Sequence, residues 1–192
     1  GVAFPDKRAS CCGALHVHAG LAPEARRLAL RTMESFPGTA PILVDSAGCG
    51  AQLKDYGHLL DTDTARKFSE RVLDVHEWLA QHLEELPPKS EPSPRIVVQD
   101  PCHLRHVQRT HESVYKVLGR YVDTVPLNDD GLCCGAGGAY STFHPEIASD
   151  VRDRKIQAIE ETGAEEVASA NPGCLLHLRS GGLEVRHPLE IV

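Results

Sequence analysis

The sequence is organised around Cys133-Cys134-Gly135-Ala136-Gly137-Gly138, and a shorter form of this motif, Cys11-Cys12-Gly13, lies near the start of the chain. Each cysteine pair is followed at a similar distance by a Gly-Cys, at Gly48-Cys49 and Gly173-Cys174. Cys102 precedes the second pair, so all seven cysteines fall into one repeating scheme. Adjacent cysteines are strained disulfide partners. The pattern therefore favours a site that needs several thiolates close together.

The repetition is an offset that can be measured along the chain. The distance from Cys12 to Cys134 is 122 positions, and the same shift carries Pro23-Glu24 onto Pro145-Glu146. A period of about a hundred residues is too long for a solenoid and predicts two similar half-domains. We expect a first repeat over residues 1–86, a linker over 87–94, which is rich in proline, and a second repeat over 95–192.

Short apolar runs alternate with helical patterns, which predicts an α/β fold: two similar layered half-domains with parallel strands, from an internal duplication. The predicted strands lie at 42–44, 96–98, 122–125 and 167–168, and the predicted helices at 24–36, 64–83 and 145–163. Pro23 and Pro145 suit the first turn of equivalent helices. Ligands of such sheets gather at the carboxyl ends of strands, and Cys49, Cys102 and Cys174 each follow a predicted strand closely.

The first repeat lacks one member of the scheme. Cys102 precedes Cys133 by 31 positions, and the matching position before Cys11 falls ahead of Gly1. We therefore expect the chain to be the C-terminal part of a longer polypeptide.

Composition excludes several function classes. A formal charge of −7 without a basic stripe argues against nucleic-acid binding. No apolar run is long enough to cross a bilayer. Vicinal cysteines are unlike a secreted disulfide framework, which indicates a reducing cytosol.

The second repeat offers four thiolates, from Cys102, Cys133, Cys134 and Cys174. Four cysteines are a common ligand set of an iron–sulfur cluster. Gly135 and Gly173 would let the backbone approach such a cofactor closely. Four cysteines also suit tetrahedral zinc, which leaves a zinc-bound or metal-free scaffold as the alternative. The first repeat offers Cys11, Cys12 and Cys49 as metal ligands.

These motifs resemble the cysteine-rich CCG domain. Asp100-Pro101-Cys102-His103-Leu104, Cys133–Gly138 and Asn171-Pro172-Gly173-Cys174 are similar to the iron–sulfur subunits of glycolate oxidases, as are Cys11–His16 and Ser46–Gly50. Lactate-utilisation iron–sulfur proteins and the cluster-bearing subunits of heterodisulfide reductases are further relatives. The resemblance covers essentially the whole chain.

The resemblance implies an electron carrier with an iron–sulfur cluster of the 4Fe-4S type, which an aerobically handled sample is expected to lose. It implies a subunit of an oxidoreductase complex rather than a catalyst alone. The partner would be a flavoprotein that oxidises a 2-hydroxy acid, and the expected location is the cytoplasm, with peripheral association at the inner face of the cell membrane through the complex.

Two departures from the family pattern stand out. The last cysteine of a Cys-x-x-Cys is replaced by Gln52 in the first repeat and by His177 in the second. In the heterodisulfide-reductase relatives that cysteine serves disulfide cleavage, so a thiol/disulfide catalyst is the less favoured alternative. We expect His177 not to bind iron.

Other conspicuous residues receive plainer interpretations. Four histidines close to cysteines are expected to lie beside the site or at the surface rather than to bind metal: His16, His18, His103 and His106. The charged runs Arg26-Arg27 and Arg152–Lys155 are expected to be solvated helix faces.

Overall fold

The computed structural model describes residues 1–5, 11–87 and 94–192. These residues form two compact units, one of residues 1–44 and 48–74 and the other of residues 45–47 and 75–192. Most of the predicted linker, residues 88–93, lies outside the described residues. The domain division at 87–94 therefore stays a prediction.

The first unit contains a parallel pair of strands surrounded by helices. Its elements are, in chain order, α1 (Ala14–His18), α2 (Ala22–Glu34), β1 (Ile42–Val44), α3 (Ala47–Lys54, whose first residue belongs to the second unit), α4 (Tyr56–Leu60), α5 (Asp63–Ser69) and β2 (Val72–Asp74). Strands β1 and β2 pair in parallel, with Ile42 opposite Val72. Both residues are buried in a core with Tyr56 and Phe68, whose rings stack with centroids 5.6 Å apart.

The second unit contains a four-stranded parallel sheet. Its elements are, in chain order, α6 (Val75–Gln81), β3 (Arg95–Gln99), α7 (Glu112–Leu118), β4 (Asp123–Val125), α8 (Tyr140–Phe143), α9 (Pro145–Glu160), β5 (Glu166–Ser169), α10 (Pro172–Arg179) and β6 (Val185–Arg186), with short tighter or wider helical turns at Leu83–Glu85, His103–Gln108 and Pro188–Glu190. The strand order is β4-β3-β5-β6, and every pairing is parallel.

Helices cover both faces of this sheet because successive residues of a strand point to opposite sides. Val97 and Val167 pack with the buried residues of α9 and α10, whereas Ile96, Val98 and Ala168 pack with those of α7. A strand buried on both faces has a continuous apolar sequence. That explains why strands β3 and β5 could be predicted, and the α/β class with parallel strands is confirmed.

The predicted helix over 64–83 is wrong. Helix α5 ends at Ser69, strand β2 occupies Val72–Asp74, and α6 begins at Val75. Its apolar residues do recur at helical spacing, but Val72 is only 2% exposed because it pairs with β1 and packs in the core. A tertiary partner overrides the local period. Strand β6, two residues long, was also missed.

The two repeats carry the same series of elements. Each has a Cys-Cys-Gly, a helix with a proline in its first turn, a strand, and a helix that carries the last cysteine, namely Cys49 in α3 and Cys174 in α10. The first repeat adds α4 and α5 before its second strand. The duplication is thus visible in the fold.

Packing corrects the alignment of the two long helices by one residue. A Cβ on Gly13 would meet the carbonyl oxygen of Ala25, and a Cβ on Gly135 would meet that of Ala148. The helices therefore match with a shift of 123, one more than the shift between Gly13 and Gly135. Pro23 is accordingly the second residue of α2, whereas Pro145 is the first of α9.

Among the residues that the structure describes, no helix is both long and apolar enough to cross a bilayer.

Candidate metal centre

The cysteines of the second repeat are positioned by the carboxyl ends of parallel strands. Cys102 follows β3, Cys133 and Cys134 lie between β4 and α8, and Cys174 lies in the first turn of α10 after β5. Strands β3 and β5 are neighbours, and the connections leave them toward opposite sides of the sheet. This is the switch point at which open parallel sheets bind ligands. The prediction that cysteines collect at this edge is confirmed.

These four residues are called here the second cysteine set. Their thiols influence one another's pKa in series, Cys102 with Cys133, Cys133 with Cys134, and Cys134 with Cys174. None of the four is in a disulfide, and Cys134 and Cys174 are each only 3% exposed. Four free thiols, two of them buried, thus lie near one another at this edge of the sheet.

Further hydrogen bonds reach the sulfurs from nitrogen donors. The Gly135 N–H donates to Cys133 Sγ at 3.4 Å, and the Asn171 side-chain amide donates to Cys174 Sγ at 3.3 Å. Donors of this kind stabilise thiolate rather than thiol. These two donors therefore favour the thiolate, the form that binds metals, at Cys133 and Cys174.

The sulfur contacts divide the thiols into two classes. The hydrogen bond with Cys102 is the main cause that lowers the pKa of Cys133, and the hydrogen bond with Cys134 is the main cause that lowers the pKa of Cys174. The same contacts raise the pKa of Cys102 and of Cys134. Each cysteine with a lowered pKa thus has a partner with a raised pKa. Cys133 is paired in this way with Cys102, and Cys174 with Cys134.

Gly135 is required by the packing of this loop. Its φ of +88° lies in the left-handed region, and a Cβ there would overlap the carbonyl oxygen of Ala148. Gly173 is different, because it lies in α10 and its φ is not positive. A Cβ at 173 would lie 3.3 Å from Asn171 Nδ2, the atom that donates to Cys174.

The first repeat gathers a smaller group, Cys11, Cys12 and Cys49, called here the first cysteine set. Cys12 donates to Cys49 Sγ at 3.2 Å, and this contact is the main cause that raises the pKa of Cys12. The Gly13 N–H donates to Cys11 Sγ at 3.4 Å, which repeats the contact between Gly135 and Cys133. Cys11 is exposed, whereas Cys12 and Cys49 are half-buried.

The histidines singled out in the sequence lie close to the cysteine motifs. His103 Nδ1 is 3.5 Å from Cys102 Sγ, so it contacts a cysteine of the second set. His106 lies against Gly131, two residues before Cys133. His177 contacts the Ala148 carbonyl oxygen through Nε2 at 3.2 Å. His16 and His18 lie in α1, directly after Gly13.

The interpretation of Arg152–Lys155 as a solvated face is wrong for Lys155. Its side chain is only 1% exposed and forms an ion pair with Asp129, which is also buried. Ala148, Lys155 and Ile159 are all buried on α9, at a spacing that places them on one helix face. That spacing was the signal in the sequence, but the surrounding charges concealed it.

Within the described ranges, no three His, Cys, Asp or Glu side chains are grouped as a single metal ion would need. The second cysteine set nevertheless fits an iron–sulfur cluster by its chemistry, because it supplies four free thiols, N–H donors to sulfur and two buried positions.

Comparison with known proteins agrees with this chemistry. The chain is 35% identical over 98% of its length to the glycolate oxidase iron-sulfur subunit of Escherichia coli (strain K12), of which it covers 49%. It is 31% identical over 94% of its length to the probable glycolate oxidase iron-sulfur subunit of Bacillus subtilis (strain 168), covering 43%. It is 26% identical over its full length to lactate utilization protein A of Bacillus pumilus (strain SAFR-032), covering 83%. The chain thus spans about half the length of the glycolate oxidase relatives.

The cysteine-rich domain model named CCG matches residues 1–54 and 96–179. The matched segments contain all seven cysteines. The chain therefore belongs to the CCG cysteine-rich domain family.

Proposed function

We propose that the chain is an electron-transfer part of an oxidoreductase, and that its second cysteine set holds an iron–sulfur cluster of the 4Fe-4S type. The observation that carries the proposal is the meeting of four unpaired cysteines at the switch point of a parallel sheet. The relatives named iron-sulfur subunits support it. Free thiols in this number also fit a reducing cytoplasm.

The residues of the chain have separate parts in this proposal. Cys102, Cys133, Cys134 and Cys174 would be the ligands. Gly135 would donate its backbone N–H to Cys133 Sγ beside the cluster. Gly173, which has no Cβ, would leave room for the Asn171 amide that donates to Cys174. When bound, the cluster would supply a site that stores and releases one electron.

The first cysteine set has a different part. It offers three cysteines, of which Cys11 is exposed. A cluster with four cysteine ligands needs one more than these three residues provide. We therefore propose that the described residues of this set do not hold such a cluster by themselves.

The partner we propose is a flavoprotein that oxidises a 2-hydroxy acid of the glycolate type. Electrons would pass from its flavin to the second cysteine set and on to a further acceptor, with the assembled complex lying at the membrane surface. The name of the relatives in Escherichia coli and Bacillus subtilis supports this choice.

Anaerobic purification followed by iron and acid-labile sulfide analysis tests the cofactor. We expect iron and sulfide in near-equal amounts, about four of each per chain for one 4Fe-4S cluster. Reduction with dithionite should then produce an EPR signal. The relay is tested by mixing the loaded protein with a flavin-dependent glycolate dehydrogenase and glycolate, which should bleach the cluster absorbance.

Two other results would replace the proposal. One zinc ion per chain without sulfide would make the chain a zinc-stabilised scaffold. Disulfide reductase activity from the isolated chain would make it a thiol/disulfide catalyst, and we expect none.

A further inference from the structure

A buried cation, Lys155, lies near the second cysteine set. Lys155 lies on α9, and its whole residue is 0% exposed. A lysine is almost never fully buried unless it is paired. Its partner is Asp129, which lies four residues before Cys133 and whose side chain is 7% exposed.

Lys155 lies beside the cysteines rather than elsewhere in the core. Its neighbours in the chain, Ile156 and Ile159, belong to the same buried cluster as Cys134 and Cys174. Ala148, two helical turns earlier on the same face, packs its carbonyl oxygen against Gly135. The helix face that carries Lys155 is therefore the face on which the Cys-Cys-Gly loop rests.

Asp129 connects this cation to the loop that carries the cysteines. One of its carboxylate oxygens pairs with Lys155, and the other accepts the backbone N–H of Gly131 at 3.0 Å. The charge pair thus holds the segment that leads into Cys133. This geometry suits a residue that only holds the loop in place and also one whose charge acts on the cysteines, and a measured reduction potential distinguishes the two roles.

The internal repeat provides a matched comparison. Since Ala25 in the first repeat packs on Gly13 as Ala148 packs on Gly135, the residue seven positions after Ala25 corresponds to Lys155. That residue is Thr32, which is neutral and donates its hydroxyl to the Cys11 carbonyl oxygen at 3.3 Å. At this equivalent position the second repeat therefore has a buried lysine paired with Asp129, whereas the first repeat has a neutral residue.

We propose that Lys155 supplies a buried positive charge that offsets the negative charge of the second cysteine set and raises the reduction potential of a cluster held there. The inference rests on the proposed function. Net charge around a cluster is one of the factors that set its potential, because a nearby cation favours the form that carries the extra electron. The first cysteine set, with Thr32 instead, has no such cation at the equivalent position.

The experiment compares the reduction potential of wild-type protein with that of Lys155→Met and Asp129→Asn, each loaded with its cluster and titrated under EPR detection. Lys155→Met keeps the length of the side chain and removes the positive charge. We expect the equilibrium constant for reduction to fall roughly tenfold, which is about 59 mV for a one-electron couple. Asp129→Asn retains a side-chain oxygen that can accept the Gly131 N–H, but it removes the negative charge that pairs with Lys155. The reduction potential of this variant should therefore rise. Thr32→Val is the matched control and should leave the potential of the second set unchanged.

A double variant keeps the test valid if Lys155→Met does not fold because Asp129 is left buried and unpaired. Lys155→Met combined with Asp129→Asn buries no single charge, and its potential should lie below that of Asp129→Asn alone. Shifts of the two single variants in the same direction, or no shift in any variant, would overturn the role of Lys155. Wild-type protein that takes up neither iron nor sulfide would instead overturn the proposed function, and this inference with it.

Discussion

Asn171 directs its side-chain amide at the sulfur of Cys174, with Nδ2 and Sγ 3.3 Å apart. The Ser46 hydroxyl donates to the Oδ1 of the same amide at 3.5 Å, which fixes the direction of the donor. The contact helps to lower the pKa of Cys174, after the larger effect of the hydrogen bond with Cys134. Asn171, the residue that precedes α10, therefore favours the thiolate form of Cys174 within that helix.

Replacing Asn171 by leucine should make the Cys174 thiolate less stable. A hydrogen bond to a charged acceptor contributes about 1.5–3 kcal/mol, so the pKa of Cys174 should rise when the donor is removed. The ultraviolet absorbance of thiolates, followed against pH in the metal-free protein, measures the change. Ser46→Ala retains the donor and should produce a smaller shift. An unchanged titration in Asn171→Leu would show that the amide does not act on the sulfur.

The two cysteine sets should respond differently to serine substitution. We expect Cys102→Ser and Cys174→Ser to lose most of the iron and sulfide, because serine is a poor ligand for a cluster that cysteine thiolates hold. Cys49→Ser in the first set should retain the wild-type amounts. Metal and sulfide analysis of the three purified variants checks this. Equal loss in Cys49→Ser would place the cluster, or part of it, at the first set.

Gly135→Ala should destabilise the protein more than a left-handed glycine normally would. The backbone conformation alone costs roughly 1–2 kcal/mol, and the overlap with the Ala148 carbonyl oxygen adds about 1–3 kcal/mol. Gly163 also has a positive φ, of 62°, but a Cβ there meets nothing within 4 Å. Gly163→Ala is therefore the matched control, with a loss of about 1 kcal/mol. Denaturant unfolding compares the two, and equal losses would mean that the loop moves away from α9.

Tyr115 should make the protein less stable at alkaline pH. Its hydroxyl donates to the Val98 carbonyl oxygen at 3.4 Å, and burial, followed by the charge of Asp100, raises its pKa above the usual range. The unfolded chain releases this proton near pH 10, while the folded chain keeps it until a higher pH. The stabilisation by the protonated hydroxyl is thus complete below about pH 10 and is lost as the pH rises toward the folded pKa.

The variant Tyr115→Phe isolates this effect. Near pH 8 it should lose only about 1 kcal/mol for the hydrogen bond. Between about pH 10 and 11 its free energy of unfolding should decrease less steeply than that of the wild type, since one raised tyrosine pKa is gone. Urea unfolding at several pH values measures both slopes. Parallel slopes would contradict the assignment.

The site was largely predictable and the fold partly so, for reasons visible in single residues. The candidate ligands could be predicted from the cysteine pairs with their glycines and spacing, because few other roles need adjacent thiols. The helix predicted over 64–83 failed at Val72, where pairing with Ile42 outweighs the helical period. The burial of Lys155 was missed because three charged neighbours precede it, whereas its ion-pair partner Asp129 lies far from it in sequence. Both errors arise from partners that are distant in sequence.

The sequence alone determined the duplicated α/β plan and the seven cysteines that divide into two sets. Local composition carries that information, since strands, helix starts and thiol pairs are encoded in short stretches. The burial of Lys155 and its pairing with Asp129 became visible only in the tertiary structure. The shift of α9 by one residue places Lys155 where the first repeat has Thr32. That difference depends on how a helix packs against a glycine loop, which no local pattern specifies.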